Sequence, residues 1–399
     1  MKTLIMNTYG GSLLLGARAL NADIIGSYED VGFGTPIQAA NFPDVPLIER
    51  RADWPAQDLR DVIVLAHPPC SAFSVQNSSW NARGENAEAF QCTRHVLDYA
   101  MGNGAKAIAI ESVVGALGGA WYVHQSYADR FGYNLYRVLQ NGCMFSAQWR
   151  DRFWVVYVKK GQAAEPMRWR LRPEWRIVRD VLDGYEDGPS ALGTDKQLAD
   201  LKLKLTTEAK ISKADMDFLF TPQVPALYGG MAKHFHQRCF PDKDMWGITR
   251  KYICTFASSQ MCYLDPDRLA GVLLGATWWY YNGRNLSEAG YKRIMGFPPD
   301  YVFPEGRRNY RKQMRTFLSK GVIPAVATWI LGQVANHLGE THPRGCTCHG
   351  CGDGAYELSI KPNEIVDFRI NRKDWKKADL SKLRHWEDLD EEGNEVDNG

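Results

Sequence analysis

The sequence predicts an α/β protein, a mostly parallel sheet with helices on both faces joined to a smaller, loop-rich second domain. Three observations carry this expectation. Short β-rich apolar runs alternate with helical stretches from Met1 to about Lys160, the pattern of βαβ units. The alternation stops between Tyr185 and Tyr263, where Pro222, Pro225, Gly229, Gly230 and Pro241 interrupt aromatic and basic residues. At 399 residues, the chain is long enough for one large core and a second, smaller one.

The strands expected in the first part are residues 3–6, 24–27, 62–66, 107–110 and 153–158. Ligands bind such sheets beyond the carboxyl ends of the strands, so chemistry is expected just after these runs. Apolar patterning resumes at Leu286 and leads into a helix from Ile323 to about His337, expected to pack back on the first domain. The expected organisation is thus a first domain over 1–184, a second over 185–263, a return to the first over 264–340, and a C-terminal part over 341–399. That last part holds a Cys/His cluster, a basic segment with Arg369, Arg372, Lys373, Lys376 and Lys377, and an acidic tail expected to be disordered.

No apolar run approaches the roughly 20 residues of a membrane span, and Met1 to Tyr9 reads as a buried strand rather than a signal peptide. A cytoplasmic protein without membrane contact is expected. Nine cysteines, an odd number mostly scattered along the chain, argue against a disulfide framework. A net charge of +2 neither favours nor excludes a nucleic-acid partner, which needs only a local basic groove.

Three short segments draw attention. Cys70 follows an apolar strand and two prolines in His-Pro-Pro-Cys-Ser-Ala-Phe-Ser, so a stiff backbone should present its thiol at the sheet's carboxyl edge. Glu111 ends the next apolar strand, in Ala-Ile-Glu-Ser-Val-Val, where a buried carboxyl group can share a proton with a bound base. Arg150 and Arg152 lie two residues apart on an extended segment and so share a face. Taken singly, these read as a structural cysteine, a helix cap and a surface ion-pair partner.

In order, they resemble the signatures of the DNA cytosine-C5 methyltransferase family: Pro-Cys in a catalytic loop, Glu-Asn-Val and Gln-x-Arg-x-Arg. Tyr9-Gly10-Gly11 with Glu29 is similar to the family's glycine-rich donor loop and ribose-binding acid, and Asp53-Trp54 to its adenine-contacting pair. Ile177-Val178-Arg179-Asp180 resembles the lead into the target recognition domain. Gly296-Phe297-Pro298-Pro299 resembles the late Gly-Phe-Pro motif, and Gly321 to Ala327 the final one. The likeness spans Met1 to about Leu338.

The resemblance implies a Rossmann-like catalytic and donor-binding domain, a target recognition domain over 185–263, double-stranded DNA as partner, and S-adenosylmethionine as donor. It further implies that Cys70 adds to C6 of a flipped-out cytosine while Glu111 engages N3, so that C5 becomes nucleophilic. Arg150 would raise the thiolate fraction and Arg152 would contact the base's O2. Tyr9, Gly10, Gly11, Glu29, Asp53, Trp54, Pro68, Lys320 and Val322 are expected around the donor. Ser71, Ser74 and Arg83 of a mobile loop, with Lys233, His234, His236 and Arg238, are expected on DNA. An intracellular, nucleoid-associated enzyme follows, with a monomer favoured. RNA remains open as a substrate, because the core motifs act on the base and do not report the sugar.

The sequence departs from the family at four places. Asn7 stands for an aspartate, the glycine loop is shortened, Ser112 replaces the asparagine of Glu-Asn-Val, and Lys320 stands where the last motif has asparagine. That asparagine lies near the donor's sulfonium in the family, and two like charges ~5 Å apart at an effective dielectric of ~20 repel by roughly 3 kcal/mol. A carboxylate on the transferred carbon, as in carboxy-S-adenosylmethionine, would instead pair with Lys320. The other departures motivate an alternative, a catalytically weakened relative that binds DNA as an accessory or regulatory protein. Outside the family pattern, His342, Cys346, Cys348 and Cys351 have spacing suited to structural zinc, against the plainer reading of an exposed glycine-rich loop.

Overall fold

A computed structural model describes residues 1–30, 34–73, 84, 86–182, 184, 261–263, 269–270, 278–281, 284–303, 314, 317–318, 320–340 and 356–369. Chain contacts divide it into two compact units: 1–175, 300–305 and 321–399 in the first, and 176–299 with 306–320 in the second.

The first unit is built on an eight-stranded sheet. Its strands are β1 (Lys2–Met6), β2 (Asp23–Tyr28), β3 (Leu47–Ile48), β4 (Val62–Ala66), β5 (Ala107–Ser112), β6 (Tyr133–Asn141), β7 (Asp151–Lys159) and β13 (Ile365–Asp367), in the order β13-β6-β7-β5-β4-β1-β2-β3. All neighbours are parallel except β7, which runs antiparallel between β5 and β6. The order reverses at β1 and β4, the switch point beyond which a doubly wound sheet binds ligands. Five of these strands are the ones expected, each extended by a residue or more at one or both ends except β4. β4 is buried at every position, as a continuous Val-Ile-Val-Leu-Ala run in the middle of a parallel sheet requires.

Helices α1 (Ser12–Ala19), α2 (Thr35–Asn41), α3 (Glu88–Gly102), α4 (Ala116–Gly119), α5 (Trp121–Phe131) and α8 (Pro324–His337) complete the unit. Val96, Leu97 and Met101 of α3 and Ala128 of α5 pack on Leu4, Met6, Val64, Ile108 and Ile110 of the strands. α8 packs on α1 and on β5. It begins with Pro324 at its first turn, where the missing N–H costs nothing, and is buried at nearly every position. Close approach of α1 and α8 requires Gly16, because a Cβ there would lie 2.6 Å from the Ala327 Cβ and 2.8 Å from the Thr328 nitrogen.

Two sequence expectations change. Residues after 341 were expected to be only a Cys/His cluster and a charged tail. Instead β12 (Tyr356–Ile360) pairs antiparallel with β8 (Met167–Leu171), and β13 forms the edge of the main sheet with Ile365, Val366 and Phe368 buried. The alternating Tyr-Glu-Leu-Ser-Ile and the three-residue Ile-Val-Asp carry too little apolar length to stand out between charged segments. The compact units are also bounded differently from the expected domains. In the second unit β9 (Met261–Tyr263) pairs with β10 (Trp278–Tyr281), which pairs with β11 (Arg284–Asn285), so a division after 263 would cut a sheet. In the same unit α6 (Val178–Leu182) packs on α7 (Glu288–Met295), which draws 176–184 and the Gly-Phe-Pro helix together. Gly296 ends α7 in a left-handed turn with φ 71°, the conformation this glycine serves in the motif.

Candidate active site

Parallel register brings the central residues together. Ala66 of β4 pairs with Ile110 of β5, so the next residue of each strand, His67 and Glu111, stand side by side at the carboxyl edge. His67 Nε2 is 3.0 Å from Glu111 Oε2, and both side chains are buried. β7 delivers the third member: Arg152 Nε lies 2.7 Å from the other oxygen, Glu111 Oε1. Pro68 and Pro69 then turn the chain so that Cys70, half-buried, stands close enough to His67 for the two to act on each other's charge. The Tyr9 ring packs on the His67 ring at 5.1 Å.

The electrostatics of this cluster are mutual. Burial raises the Glu111 carboxyl, but His67, Arg152 and Arg150 outweigh it and hold the group below the usual carboxylate range. Burial disfavours the charged His67, yet Glu111 and Cys70 raise its pKa to about 9. The Cys70 thiol is likewise held below its ordinary value: burial and Glu111 push it up, while His67 and Arg152 pull it down further. Arg150 is buried and donates from Nη2 to Gly321 O at 3.0 Å, tying the start of β7 to the last motif. Beside it, Gln148 is fully buried with neither amide atom hydrogen-bonded among the described residues.

The residues expected on the donor gather around the ends of β1 and β2. Asn7 and Tyr9 both adopt positive φ, 52° and 59°, and Gly11 follows at 84° with no room for a Cβ between Phe42 and the Tyr301 hydroxyl. Asparagine tolerates this region, and its Oδ1 accepts from Asp30 N at 2.7 Å. Its Nδ2 is buried with no partner among the described residues. Glu29 is buried; its Oε1 accepts from Thr8 N at 3.0 Å and Gln38 Nε2 at 2.6 Å. Burial raises its pKa to about 8, outweighing the two amide donors and the pull of His67. Trp54 is half-buried, and its Nε1 donates to Glu29 O at 3.0 Å. Gly10 and Pro68 are buried here, and Val322 N donates to Ser12 Oγ at 3.2 Å. Asn7 Nδ2 and the Glu29 carboxyl are groups that an amino acid head and a ribose can satisfy, so the edge fits an S-adenosylmethionine-type donor.

Asp53 stands apart: it is exposed and paired with Arg50 at 3.1 Å. The neighbouring acid Asp30, which motif matching missed, is the more enclosed one and pairs with His95 at 3.0 Å. With Cys92 they bring three ligand-type atoms within 4.8 Å of one another, although Arg51 lies 3.8 Å from the same aspartate. Lys320 belongs to the second unit and is exposed. Ser71 is exposed in a 3-10 turn after Cys70. Ser74, Arg83, Lys233, His234, His236, Arg238, His342, Cys346, Cys348 and Cys351 lie outside the described residues. The ends of the stretch holding Ser74 and Arg83 are tied, however: Gly84 N donates to Ala72 O at 3.0 Å, and Phe73 packs on Phe90 at 5.2 Å.

The pattern of the family described as C-5 cytosine-specific DNA methylase matches residues 6–336. The chain belongs to this family. As a C-5 cytosine-specific DNA methylase it is a transferase of the DNA cytosine-C5 methyltransferase type, and membership implies S-adenosylmethionine use and a DNA substrate. Solved structures share the methylase fold. A prophage-encoded E. coli protein described as a DNA modification methyltransferase aligns at TM-score 0.56 and 16% identity, over 85% of this chain and 100% of its own. The Entamoeba histolytica methyltransferase EhMeth aligns at 0.55 and 12%, over 85% and 98%. Spodoptera frugiperda DNMT2 aligns at 0.52 and 12%, over 84% and 99%. At such identities the likeness is one of fold. No curated protein sequence matches. No helix among the described residues is long and apolar enough to cross a membrane.

Proposed function

We propose that the chain modifies cytosine in double-stranded DNA at C5 through a covalent Cys70 adduct. The observation that carries this reading is the cluster in which a half-buried thiol, held toward its thiolate form, stands with Glu111 and Arg152 at the carboxyl edge of the sheet. Cys70 Sγ adds to C6 of a base flipped out of the duplex. The electron pair displaced from the C5–C6 bond is drawn toward N3, where Glu111 supplies or stabilises a proton, and Arg152 steadies Glu111 and the base's O2. When bound, the donor supplies an electrophilic carbon on sulfur. Loss of the C5 proton then expels Cys70 and restores aromaticity.

Tyr9, Gly10, Gly11, Glu29, Trp54, Pro68 and Val322 hold the donor on this reading, with Asp53 at its outer rim. Residues 185–263 choose the target, through Lys233, His234, His236 and Arg238, and Ser71, Ser74 and Arg83 close on the DNA. His342, Cys346, Cys348 and Cys351 hold a structural zinc, tested by metal analysis of wild type against Cys348→Ser.

The transferred group is methyl by default. A lysine in place of asparagine at position 320 favours a second reading, transfer of carboxymethyl from carboxy-S-adenosylmethionine, because an ammonium pairs with the donor's carboxylate and repels a bare sulfonium. Mass spectrometry of nucleosides from DNA exposed to the enzyme with each donor tests both. Carboxymethyl product that gives way to methyl in Lys320→Asn supports the second reading. Methyl alone, unchanged in the variant, removes it; no modified cytosine with either donor leaves the accessory DNA-binding role.

A further inference from the structure

His67 lies outside every motif, yet it stands against Glu111, Cys70 and Tyr9. It is 1% exposed, its backbone nitrogen donates to Met6 O at 3.1 Å, and the Tyr9 ring packs against it at a tilt of 53°. The β4–β5 register fixes Nε2 against Glu111 Oε2, and the turn at Pro68-Pro69 returns Cys70 to the same ring. A buried polar ring costs free energy that the aliphatic side chains of the five preceding β4 positions do not. Glu111 in turn has both oxygens taken by cationic partners, His67 on one and Arg152 on the other. An ionised carboxylate holds no proton of its own to offer a base, so the proton that N3 needs must come from a neighbour.

Resting on the proposed function, we infer that His67 is the base that activates Cys70 and the store of the proton that Glu111 passes to the cytosine. The Sγ–H bond of Cys70 breaks and a nitrogen–hydrogen bond forms on the imidazole, giving a thiolate and an imidazolium whose counter-ion is Glu111. Net charge is unchanged. When Sγ bonds to C6, the proton moves from the imidazolium through the Glu111 carboxyl to N3, and the ring is neutral again. No external acid or base is required to start the reaction. The charged groups that act on the ring are Glu111 on β5, Cys70 on its own loop and Glu29 after β2; the Tyr9 ring after β1 packs on it, and Arg150 and Arg152 at the start of β7 act through Glu111 and Cys70. The same arrangement explains why a thiol beside a carboxylate is nonetheless held toward its ionised form.

The test is the pH dependence of Cys70 alkylation by iodoacetamide in the full chain without DNA, read from the Cys70 peptide by mass spectrometry. Wild type should alkylate with a midpoint well below ~8.5, the value of a free thiol. His67→Gln should move that midpoint upward and slow alkylation at pH 6.5 by about tenfold or more, since one unit of pKa is a tenfold change in thiolate. Thermal melting of both proteins reports whether the variant folds. A wild-type midpoint at or above ~8.5 overturns the proposal even if the variant cannot be made. An unchanged midpoint in a folded His67→Gln overturns it as well. Trapping on 5-fluorocytosine DNA separates this from the parent reading: wild type that forms the adduct while His67→Gln keeps a wild-type alkylation profile leaves Cys70 as nucleophile and removes only His67.

Discussion

Glu29 and Glu111 are both buried carboxyl groups at strand ends, yet their surroundings drive them in opposite directions. Glu29 accepts from the amides of Gln38 and Thr8, and burial outweighs these and His67 to raise its pKa to about 8. Glu111 meets His67 and Arg152 and stays ionised. The consequence for Glu29 is a pH dependence of stability. Between the ordinary carboxylate value and about 8 the folded chain keeps a proton that the unfolded chain has lost, so stability falls as pH rises through that window. Glu29→Gln removes the effect. Wild type should lose about 2 kcal/mol more than this variant between pH 6 and pH 8 in urea unfolding; parallel losses would contradict it. For Glu111, Arg152→Ala should lower kcat/KM on DNA by about a hundredfold or more, with Arg152→Lys between the two, because a buried carboxylate loses its nearest permanent cation. Cys70, Glu111, Arg150 and Arg152 were legible because they sit in short motifs in a recognisable order. His67 was not, since a single histidine before two prolines has no meaning until the β4–β5 register sets it beside Glu111.

The elements show the same contrast. β1, β4, β5 and α8 were legible from long apolar runs with a clear period. β6 was missed although all nine of its residues pair with β7 without a break, because Tyr133 to Asn141 mixes Asn134, Arg137 and Gln140 into its pattern. Its burial comes from lying between β13 and β7, a position no local property announces. At the α1–α8 contact, helix propensity and packing disagree. Gly16→Ala would gain about 1 kcal/mol in a helix interior, but its methyl would meet Ala327 and the backbone of Thr328. Backbone cannot swing aside as a side chain can, so the clash wins. A loss of roughly 1–3 kcal/mol in urea unfolding is expected, and equal or greater stability would show that α1 shifts freely on α8.

For the whole molecule, the instructive segment is the C-terminal one. Residues past the family match, which ends at 336, supply β12 and the sheet-edge strand β13. Phe368 packs on Trp329 of α8 at 5.4 Å, so the sheet and the helix bearing the last motif share this support. Val366→Asp places a charge where exposure is 1%, and should cost about 3 kcal/mol or more and lower Tm. An unaltered melt would mean that β13 is dispensable. The division of the chain was harder to read than its chemistry, because the strands and helices of the second unit find partners across long stretches of sequence. Every scale converges on the thiol of Cys70. A long duplex of mixed sequence carrying 5-fluorocytosine, incubated with the enzyme and each donor and then digested, tests its role most directly. The expected result is a denaturation-resistant adduct on the Cys70 peptide that is absent in Cys70→Ala. No adduct with either donor, or an adduct on another cysteine, would contradict it.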